Sequence, residues 1–459
     1  MIRRWAKNSF ANLASGAIGA LYNFALPALL SRSLSKGEYS AWALALQMTA
    51  YINLFGMGLQ TATGRFVAEA DASGNQEKLL AVANAAKKII NVSTLLAVAA
   101  VAILVVVYPE IFSALPDSLK GMFRITVLAL GLSTALQLQS LLPIGIFTGL
   151  HKNILFVAAQ ATSKVITVIG LWICTGAGAS IAVIALTFAL LSATTLPLLA
   201  FIARRTVPWY RQVTARPAFT VTGKELLKFC VTLSVWSICT IMVTSVSTIV
   251  VGIHDFPHVA SYSIAVTMNA IFVGLLSALM SPLMTSASAM SGTPSGREQI
   301  PRLLMRATFI GNILLHISLI IFIPLGPWFL KMWVGGELAT DAYQLAILLL
   351  IANVIRNHML PYSYILLSLS MHRLALMTAV AEGVISVGLS FTLASVYGAR
   401  GVAIASIVAA TIGALSLMVI TFPRTRTVLP SIPRFLSFSM LVPLLIALPF
   451  YIYYFYRVW

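Results

Sequence analysis

The feature that most limits the fold of this chain is a series of apolar stretches separated by short polar breaks. A run of about 20 apolar residues is long enough to cross the hydrocarbon core of a membrane as a helix. Such stretches cover roughly residues 9–30, 39–62, 87–108, 122–148, 154–174, 179–203, 226–252, 259–285, 306–326, 341–369, 374–395, 400–422 and 435–456. Only 9% of the residues are charged, too few to cover a water-facing surface of this size, so most of the solvent must be lipid.

The apolar stretches are helices rather than barrel strands. Backbone polar groups in lipid must be satisfied inside the protein, which leaves helices or a closed barrel as membrane spans. Barrel strands alternate polar and apolar residues, whereas residues 95–108 and 345–352 are continuous apolar runs. The sequence therefore predicts an all-α polytopic membrane protein with thirteen spans.

The 30 Lys and Arg residues are sorted onto one side of these spans. The sparse side holds only Arg32, Lys36, Lys120, Arg124, Lys331, Arg400 and Arg457. Lys164 and Arg356 lie inside spans, and all the others lie at the N-terminus or in every second connection. Cytoplasmic loops are rich in Lys and Arg, so we predict a multi-pass membrane protein with a cytoplasmic N-terminus. The net charge of +18 is then a topology signal and does not indicate nucleic-acid binding.

The connection after the sixth span divides the chain. We predict an N-terminal lobe over residues 1–205, a cytoplasmic linker over 206–225, a C-terminal lobe over 226–422 and an extra transmembrane helix over 423–459. The polar, proline-containing composition of residues 206–225 supports this boundary, because apolar spans flank it on both sides.

The two lobes share short sequence matches at a nearly constant offset. Leu142-Pro143 in the fourth span recurs as Leu360-Pro361 in the tenth, and the turn Gly176-Ala177 recurs as Gly398-Ala399. Six spans per half give two pseudo-symmetric six-helix lobes, and repeats of this kind are typical of transporters with a substrate site between the halves. Chance similarity between apolar helices is the alternative interpretation.

The sequence shows no constellation typical of an enzyme. Thr222-Gly223-Lys224 lacks the first glycine and the final hydroxyl of a phosphate-binding loop. Cys174, Cys230 and Cys239 lack the spacing of a metal site. We therefore predict that the chain is not an enzyme and has no catalytic residue, no metal and no cofactor.

Charged residues inside the spans are the strongest candidates for function, because a charge at mid-bilayer costs about 2.5–3.5 kcal/mol. Lys164 lies at the centre of the fifth span. Arg356 lies in the tenth span with Asn353 and Asn357, and these three share one helix face. That face predicts a wet cavity between the halves; the alternative is a buried network that ties helices together.

Glu382 and Asn269 are further polar residues within spans. Glu382 is the sole carboxylate well inside one, and it could carry a coupling proton, pair with a base or make an interhelical hydrogen bond. Asn269 in the eighth span either lines a substrate path or bonds a neighbouring helix. Six tryptophans flank spans, which predicts interfacial anchoring: Trp5, Trp42, Trp209, Trp328, Trp333 and Trp459.

Several short segments resemble a known family. The first span ends in Leu26-Pro27-Ala28-Leu29-Leu30-Ser31-Arg32, and the turn Leu34-Ser35-Lys36-Gly37-Glu38-Tyr39-Ser40 follows. Asn53-Leu54-Phe55-Gly56-Met57-Gly58-Leu59 closes the second span, and Tyr397-Gly398-Ala399-Arg400-Gly401-Val402-Ala403 opens the twelfth. With these motifs the chain resembles the O-antigen and exopolysaccharide (Wzx-type) flippases of the multidrug/oligosaccharidyl-lipid/polysaccharide exporter superfamily. The thirteenth span departs from the family's usual twelve or fourteen.

The resemblance implies a flippase that works by alternating access. It would move an undecaprenyl-diphosphate-linked oligosaccharide from the cytoplasmic to the outer leaflet of the bacterial inner membrane. Membrane lipids would surround it, and a polysaccharide polymerase and glycosyltransferases would be its partners. Arg356 and Lys164 would engage the diphosphate or an acidic sugar. Asn353, Asn357 and Asn269 would bind the sugars.

Two other classes compete with this interpretation. The first is a cation-coupled multidrug exporter, which the resemblance to the same superfamily also allows. Such exporters bind cationic drugs through intramembrane carboxylates, and this chain has one, Glu382. A membrane glycan polymerase or ligase would need a large external catalytic loop, and the connections between the predicted spans are short.

Overall fold

The structure is a computed structural model that describes residues 2–56, 58–214, 225–228, 230, 246–280, 282–291, 293–369, 371–426, 428–429 and 431–458. Helices account for nearly all of these residues, and no strand occurs among them. The chain divides into two compact units, Met1–Ile241 and Met242–Trp459. The all-α polytopic fold class is therefore confirmed.

The first unit contains nine helices within its described residues. They are α1 (Ile2–Ser33), α2 (Lys36–Ala50), α3 (Leu59–Ala72), α4 (Gln76–Ile111), α5 (Asp117–Gln137), α6 (Leu141–Gly149), α7 (Asn153–Gly176), α8 (Ile181–Ala193) and α9 (Thr195–Thr206). Short 3₁₀ segments, Tyr51–Gly56 and Leu138–Ser140, join α2 to α3 and α5 to α6.

The second unit has the same broken-helix plan. Its described helices are α10 (Val246–His254), α11 (Val259–Met280), α12 (Pro282–Ser291), α13 (Pro294–Val334), α14 (Gly336–Asn357), α15 (Leu360–Ser368), α16 (His372–Thr421), α17 (Ile432–Leu436) and α18 (Val442–Val458). Gly398 has non-helical backbone angles and divides α16 into two antiparallel halves.

Apolar side chains point outward from the long helices, as expected for a protein whose solvent is lipid. In α4, Leu95 is 70% exposed and Val106 is 72% exposed, while Ala97 and Val101 on the opposite face are buried. At 1.5 Å per residue α4 is about 54 Å long, more than the roughly 30 Å of a hydrocarbon core. The basic residues Lys78, Lys87 and Lys88 lie in its first four turns, at the end of the helix that extends beyond its most apolar part.

Ten helical segments of the described chain are long and apolar enough to cross a membrane. The difference from thirteen predicted spans has three causes. The second span is two shorter helices, α2 and α3, interrupted at residues 51–58. Most of the seventh span lies outside the described residues. The eleventh and twelfth spans are counted together because both belong to α16.

The interruptions in the second and fourth spans pack against each other. A Cβ at Gly56 would lie 2.6 Å from the Leu138 Cδ2 atom, so a larger residue there would require the Leu138 side chain to move. Beyond the breaks, α3 packs on α6 through glycines: a Cβ at Gly149 would lie 2.6 Å from the Gly64 carbonyl oxygen. Gly145 and Gly149 form a small-xxx-small pattern that brings two helix backbones close together.

The breaks recur in the second unit. Pro143 lies near the start of α6 and Pro361 near the start of α15, and each helix follows a break in its span. α12 packs on α15 as α3 packs on α6. The repeated sequence Leu-Pro therefore marks the same structural event in both lobes. The predicted linker over residues 206–225 stays a prediction, because residues 215–224 lie outside the described part of the chain.

The thirteenth span, formed by α17, a π-helical turn and α18, packs against α13. The Asn312 side-chain amide donates to the Ser439 carbonyl oxygen at 2.6 Å. The Tyr451 hydroxyl lies 2.7 Å from His316 Nδ1. Phe309 and Phe438 stack with ring centroids 5.0 Å apart. Polar contacts as well as apolar packing thus hold this span against α13 within the second unit.

The prediction that Trp42 and Trp333 are interfacial anchors is wrong. Trp42 is 2% exposed and Trp333 is 3% exposed. Trp42 packs edge-on against Phe188 of α8, with ring centroids 5.4 Å apart. Both tryptophans are core residues near helix ends, where sequence position alone does not distinguish packing from anchoring.

Candidate functional site

The polar stripe of the tenth span meets the eleventh span at an ion pair. Arg356 in the last turn of α14 donates from Nε to the Glu382 Oε1 atom at 2.6 Å. The two side chains are 24% and 14% exposed. This pairing is one of the possibilities that the sequence left open for Glu382. It reduces the cost of placing either charge within a lipid-spanning helix, because each neutralises the other.

A glycine in the second half of α16 makes room for the carboxylate. A Cβ at Gly413 would lie 2.8 Å from Glu382 Oε2 and 2.9 Å from Glu382 Cδ. The two halves of α16 are antiparallel, so Gly413 lies across the helical hairpin from Glu382. Packing therefore fixes the position of the carboxylate, in addition to its bond with Arg356.

Asn353 and Asn357 bond to each other on the same face of α14. The Asn357 amide donates to the Asn353 carbonyl oxygen at 3.0 Å and also contacts the Asn353 side-chain oxygen. Their exposed fractions are 2% and 9%. They are therefore less accessible than Arg356, and part of their hydrogen-bonding capacity is already used within the helix.

An apolar cleft opens beside this stripe. It lies between α11, α13 and α14. Leucines of all three helices line it, including Leu276, Leu315 and Leu350. Its polar lining residues are Ser318 and Asn353. Asn353 thus lies where an apolar space borders the polar face that also carries Arg356.

Asn269 is on α11, the helix that packs against α14. Its side-chain oxygen is buried and accepts no hydrogen bond from the described part of the chain. A buried amide oxygen without a partner costs free energy. Within the described residues this oxygen accepts no hydrogen bond from Asn353 or Arg356.

The sequence analysis missed a second polar stripe, along the eleventh span. Thr378, Glu382, Ser386 and Ser390 follow one another at four-residue intervals, which places them on one face of α16. The three hydroxyl residues are at most 6% exposed. The four-residue spacing is visible in the sequence, but serine and threonine are common in membrane helices and give little signal by themselves.

Lys164 belongs to the first unit and has a different environment. Its ammonium lies 5.7 Å from the centre of the Tyr22 ring, a cation–π arrangement between α7 and α1. The Cβ of an alanine at Gly19 would lie 3.6 Å from the ammonium nitrogen, so α1 leaves space beside it. Within the described residues Lys164 forms no salt bridge.

The structure therefore brings together part of the predicted set. Arg356 joins Glu382, Asn353 joins Asn357, and Asn269 lies on an adjacent helix of the same unit. Lys164 lies in the other unit. The described residues contain no cluster of His, Cys, Asp or Glu that could hold a metal ion.

Comparison with known proteins gives similarity of structure only. No protein-family model matches the sequence. No curated protein matches it either. The fold is similar to a multidrug resistance MATE family transporter of the MOP superfamily in an inward-facing conformation, with TM-score 0.71, 15% identity and coverage of 89% of this chain and 94% of that chain.

Two further solved structures have the same fold. The lipid II flippase MurJ in an inward closed conformation matches with TM-score 0.70 and 16% identity over 98% of this chain and 99% of that chain. A MOP superfamily transporter from Pyrococcus furiosus, described as having a binding pocket of reversed polarity, matches with TM-score 0.60 and 15% identity over 92% and 95%. The chain therefore has the fold of MOP superfamily transporters and is a multi-pass membrane protein.

Proposed function

We propose that this chain is a flippase that moves an undecaprenyl-diphosphate-linked oligosaccharide across the bacterial inner membrane by alternating access of two lobes. The substrate is an anionic lipid, and its glycan would be a repeat unit of a surface polysaccharide such as O-antigen. The likeness to a lipid II flippase over 98% of this chain supports a lipid-linked substrate. The sequence resemblance to polysaccharide flippases supports the same class.

The observation that carries the proposal is the charge balance inside the spans. Glu382 is neutralised by Arg356. Lys164 then remains as an intramembrane cation that has no salt bridge in the described structure. An intramembrane cation of this kind favours an anion, since its interaction with a diphosphate is strong where water is scarce.

Each candidate residue has a role in this proposal. Arg356 binds the diphosphate through the N–H groups that its bond to Glu382 leaves available. Lys164 is the cationic candidate of the first lobe for the diphosphate or an acidic sugar. Asn353, Asn357 and Asn269 provide amides for sugar hydroxyls, and the apolar cleft beside Asn353 suits the hydrocarbon part of an amphipathic ligand.

A cation-coupled multidrug exporter is the second candidate, and the likeness to a MATE family transporter favours it. Binding of a cationic drug requires a carboxylate that is free to meet the charge. Glu382 bonds to Arg356 at 2.6 Å, so its charge is already satisfied. This pairing favours an anionic substrate over a cationic one.

A strain that lacks this gene tests the proposal directly. We expect it to lose surface polysaccharide and to accumulate the lipid-linked oligosaccharide on the cytoplasmic leaflet. The wild-type gene should restore export, whereas Arg356→Ala and Lys164→Ala should each reduce it at least tenfold, because a charge-assisted contact to phosphate contributes roughly 1.5–3 kcal/mol. Surface polysaccharide is measured by gel and by labelling of intact cells.

Arg204→Ala is the matched control. Arg204 is an exposed basic residue near the end of α9, outside the proposed site, and its loss should leave export normal. Membrane expression of every variant is measured in parallel. Normal surface polysaccharide in the deletion strain, together with increased sensitivity to cationic drugs, would contradict the flippase proposal and support the exporter.

A further inference from the structure

The bond between Arg356 and Glu382 uses a small part of the arginine. A guanidinium has five N–H donors in a planar fork. Among the described residues, Nε to Glu382 Oε1 is the one hydrogen bond that Arg356 makes with its side chain. None of its nitrogen atoms is among the buried atoms that lack a partner, so the remaining donors are not fully buried. They are the groups that would bind an anion while Glu382 is still beside the guanidinium.

The carboxylate is held at this position by its surroundings. Gly413 provides the space for it, because any side chain there would lie within 3 Å of the carboxylate. The Glu382 side chain is only 14% exposed, compared with 24% for Arg356. Glu382 is thus the more buried member of the pair.

We propose that Glu382 is an internal competitor for the anion site on Arg356. A carboxylate and a phosphate both bind a guanidinium through charge-assisted N–H···O bonds. When the phosphate of a ligand binds the other N–H groups of Arg356, its charge repels the carboxylate, so each anion weakens the binding of the other to the guanidinium. When the ligand leaves, the bond between Glu382 and Arg356 regains its full strength. This inference rests on the proposed function, because it takes the ligand to be an anionic lipid head group.

The competitor has a clear physical use in a flippase. An unpaired arginine inside the membrane would bind a diphosphate tightly and would release it slowly. A transport site must bind its substrate strongly enough for entry and weakly enough for exit. Glu382 weakens the bound state without removing the cation, and it also compensates the Arg356 charge when the site is empty.

Binding measurements on the full chain in lipid nanodiscs test the proposal. The probe is farnesyl diphosphate, and farnesol, which lacks the diphosphate, serves as the neutral comparison. Glu382→Gln keeps the shape of the side chain but removes its charge, so we expect it to bind the diphosphate about tenfold more tightly than the wild type. Arg356→Ala should lose binding, and Arg356→Ala with Glu382→Gln should bind no better than Arg356→Ala alone.

Two further variants keep the test decisive. Gly413→Ala displaces the carboxylate without changing any charge and should also tighten binding, which covers the case in which Glu382→Gln does not fold. Glu69→Gln removes a carboxylate from the Lys78–Glu69 pair, a 2.7 Å pair outside the apolar spans, and it should leave binding unchanged.

Weaker or unchanged binding by both Glu382→Gln and Gly413→Ala, with Arg356→Ala still defective, would overturn the competitor inference and leave the anionic substrate in place. The proposed function itself would be contradicted if the wild type and Arg356→Ala bound farnesyl diphosphate equally weakly and neither preferred it to farnesol. That result would overturn the inference as well.

Discussion

At the scale of single residues, Gly398 shows how one backbone conformation joins distant parts of a lobe. It adopts φ 56° and ψ −137°, which L-residues rarely adopt, and it reverses the chain inside α16. The next amide, that of Ala399, donates to the Asp255 Oδ2 atom at 2.9 Å. Asp255 also bonds His258 Nδ1 at 2.7 Å. The turn is therefore fastened to the connection between α10 and α11.

Replacement of Gly398 by alanine should destabilise the protein by about 1–3 kcal/mol. The new Cβ would overlap the Asp255 carboxylate, and the backbone angles would be strained. Gly388→Ala is the control, since a Cβ there meets nothing within 4 Å. Thermal unfolding of the detergent-solubilised variants measures the difference. Equal midpoints for the two variants would show that the Asp255 contact does not constrain the turn.

The sequence predicted a tight turn at residues 397–401 because glycine favours such conformations, and the structure confirms it. It could not predict Asp255 as a partner, since 144 residues separate the two positions. The same limit applies to Arg356 and Glu382. Each is conspicuous as a charge within an apolar span, but their pairing depends on how two helices pack.

At the scale of helices, the broken spans define the architecture of each lobe. In the first unit, α3 and α6 approach closely because Gly64, Gly145 and Gly149 leave no side chain between the backbones. Dispersion contacts replace the missing hydrophobic driving force in lipid. Hydropathy placed the second span as a single helix, because a break at Gly56 and Gly58 changes composition very little.

Gly149→Ala should lower stability, because the added Cβ would lie 2.6 Å from a backbone carbonyl oxygen and 2.8 Å from Val67. Overpacking of this kind costs about 1–3 kcal/mol. Gly121→Ala places the same group on α5 where nothing lies within 4 Å, and its effect should be neutral or slightly stabilising. Recovery of monodisperse protein after heating compares the two. A Gly149→Ala variant as robust as Gly121→Ala would mean that α3 and α6 can separate without cost.

At the scale of the whole molecule, basic residues extend along helices that are longer than a bilayer. The first four turns of α4 carry Lys78, Lys87 and Lys88. The first four turns of α13 carry Arg297, Arg302 and Arg306. The basic side predicted from the sequence is thus built partly from helix ends rather than from loops. This explains why hydropathy recovers the number of spans better than their lengths.

The orientation of the protein is open to a direct test. In a variant without Cys174, Cys230 and Cys239, a single cysteine at Ser73 should be labelled by a membrane-impermeant thiol reagent only from the cytoplasmic side. A cysteine at Ser113, in the next connection, should be labelled in intact spheroplasts. Both positions are exposed, so accessibility is comparable. The reverse pattern would invert the topology derived from the basic residues.

The contacts of the thirteenth span have a consequence for biosynthesis. Asn312 and His316 are inserted with α13, but their partners Ser439 and Tyr451 are 127 and 135 residues further along the chain. At about 5–20 residues per second, a ribosome needs roughly 6–25 s to reach Ser439. During that interval the nascent α13 has a polar face in lipid and no C-terminal helix to cover it. A chain truncated before the last helix should therefore be a substrate for membrane quality control, even though both of its lobes have been synthesised.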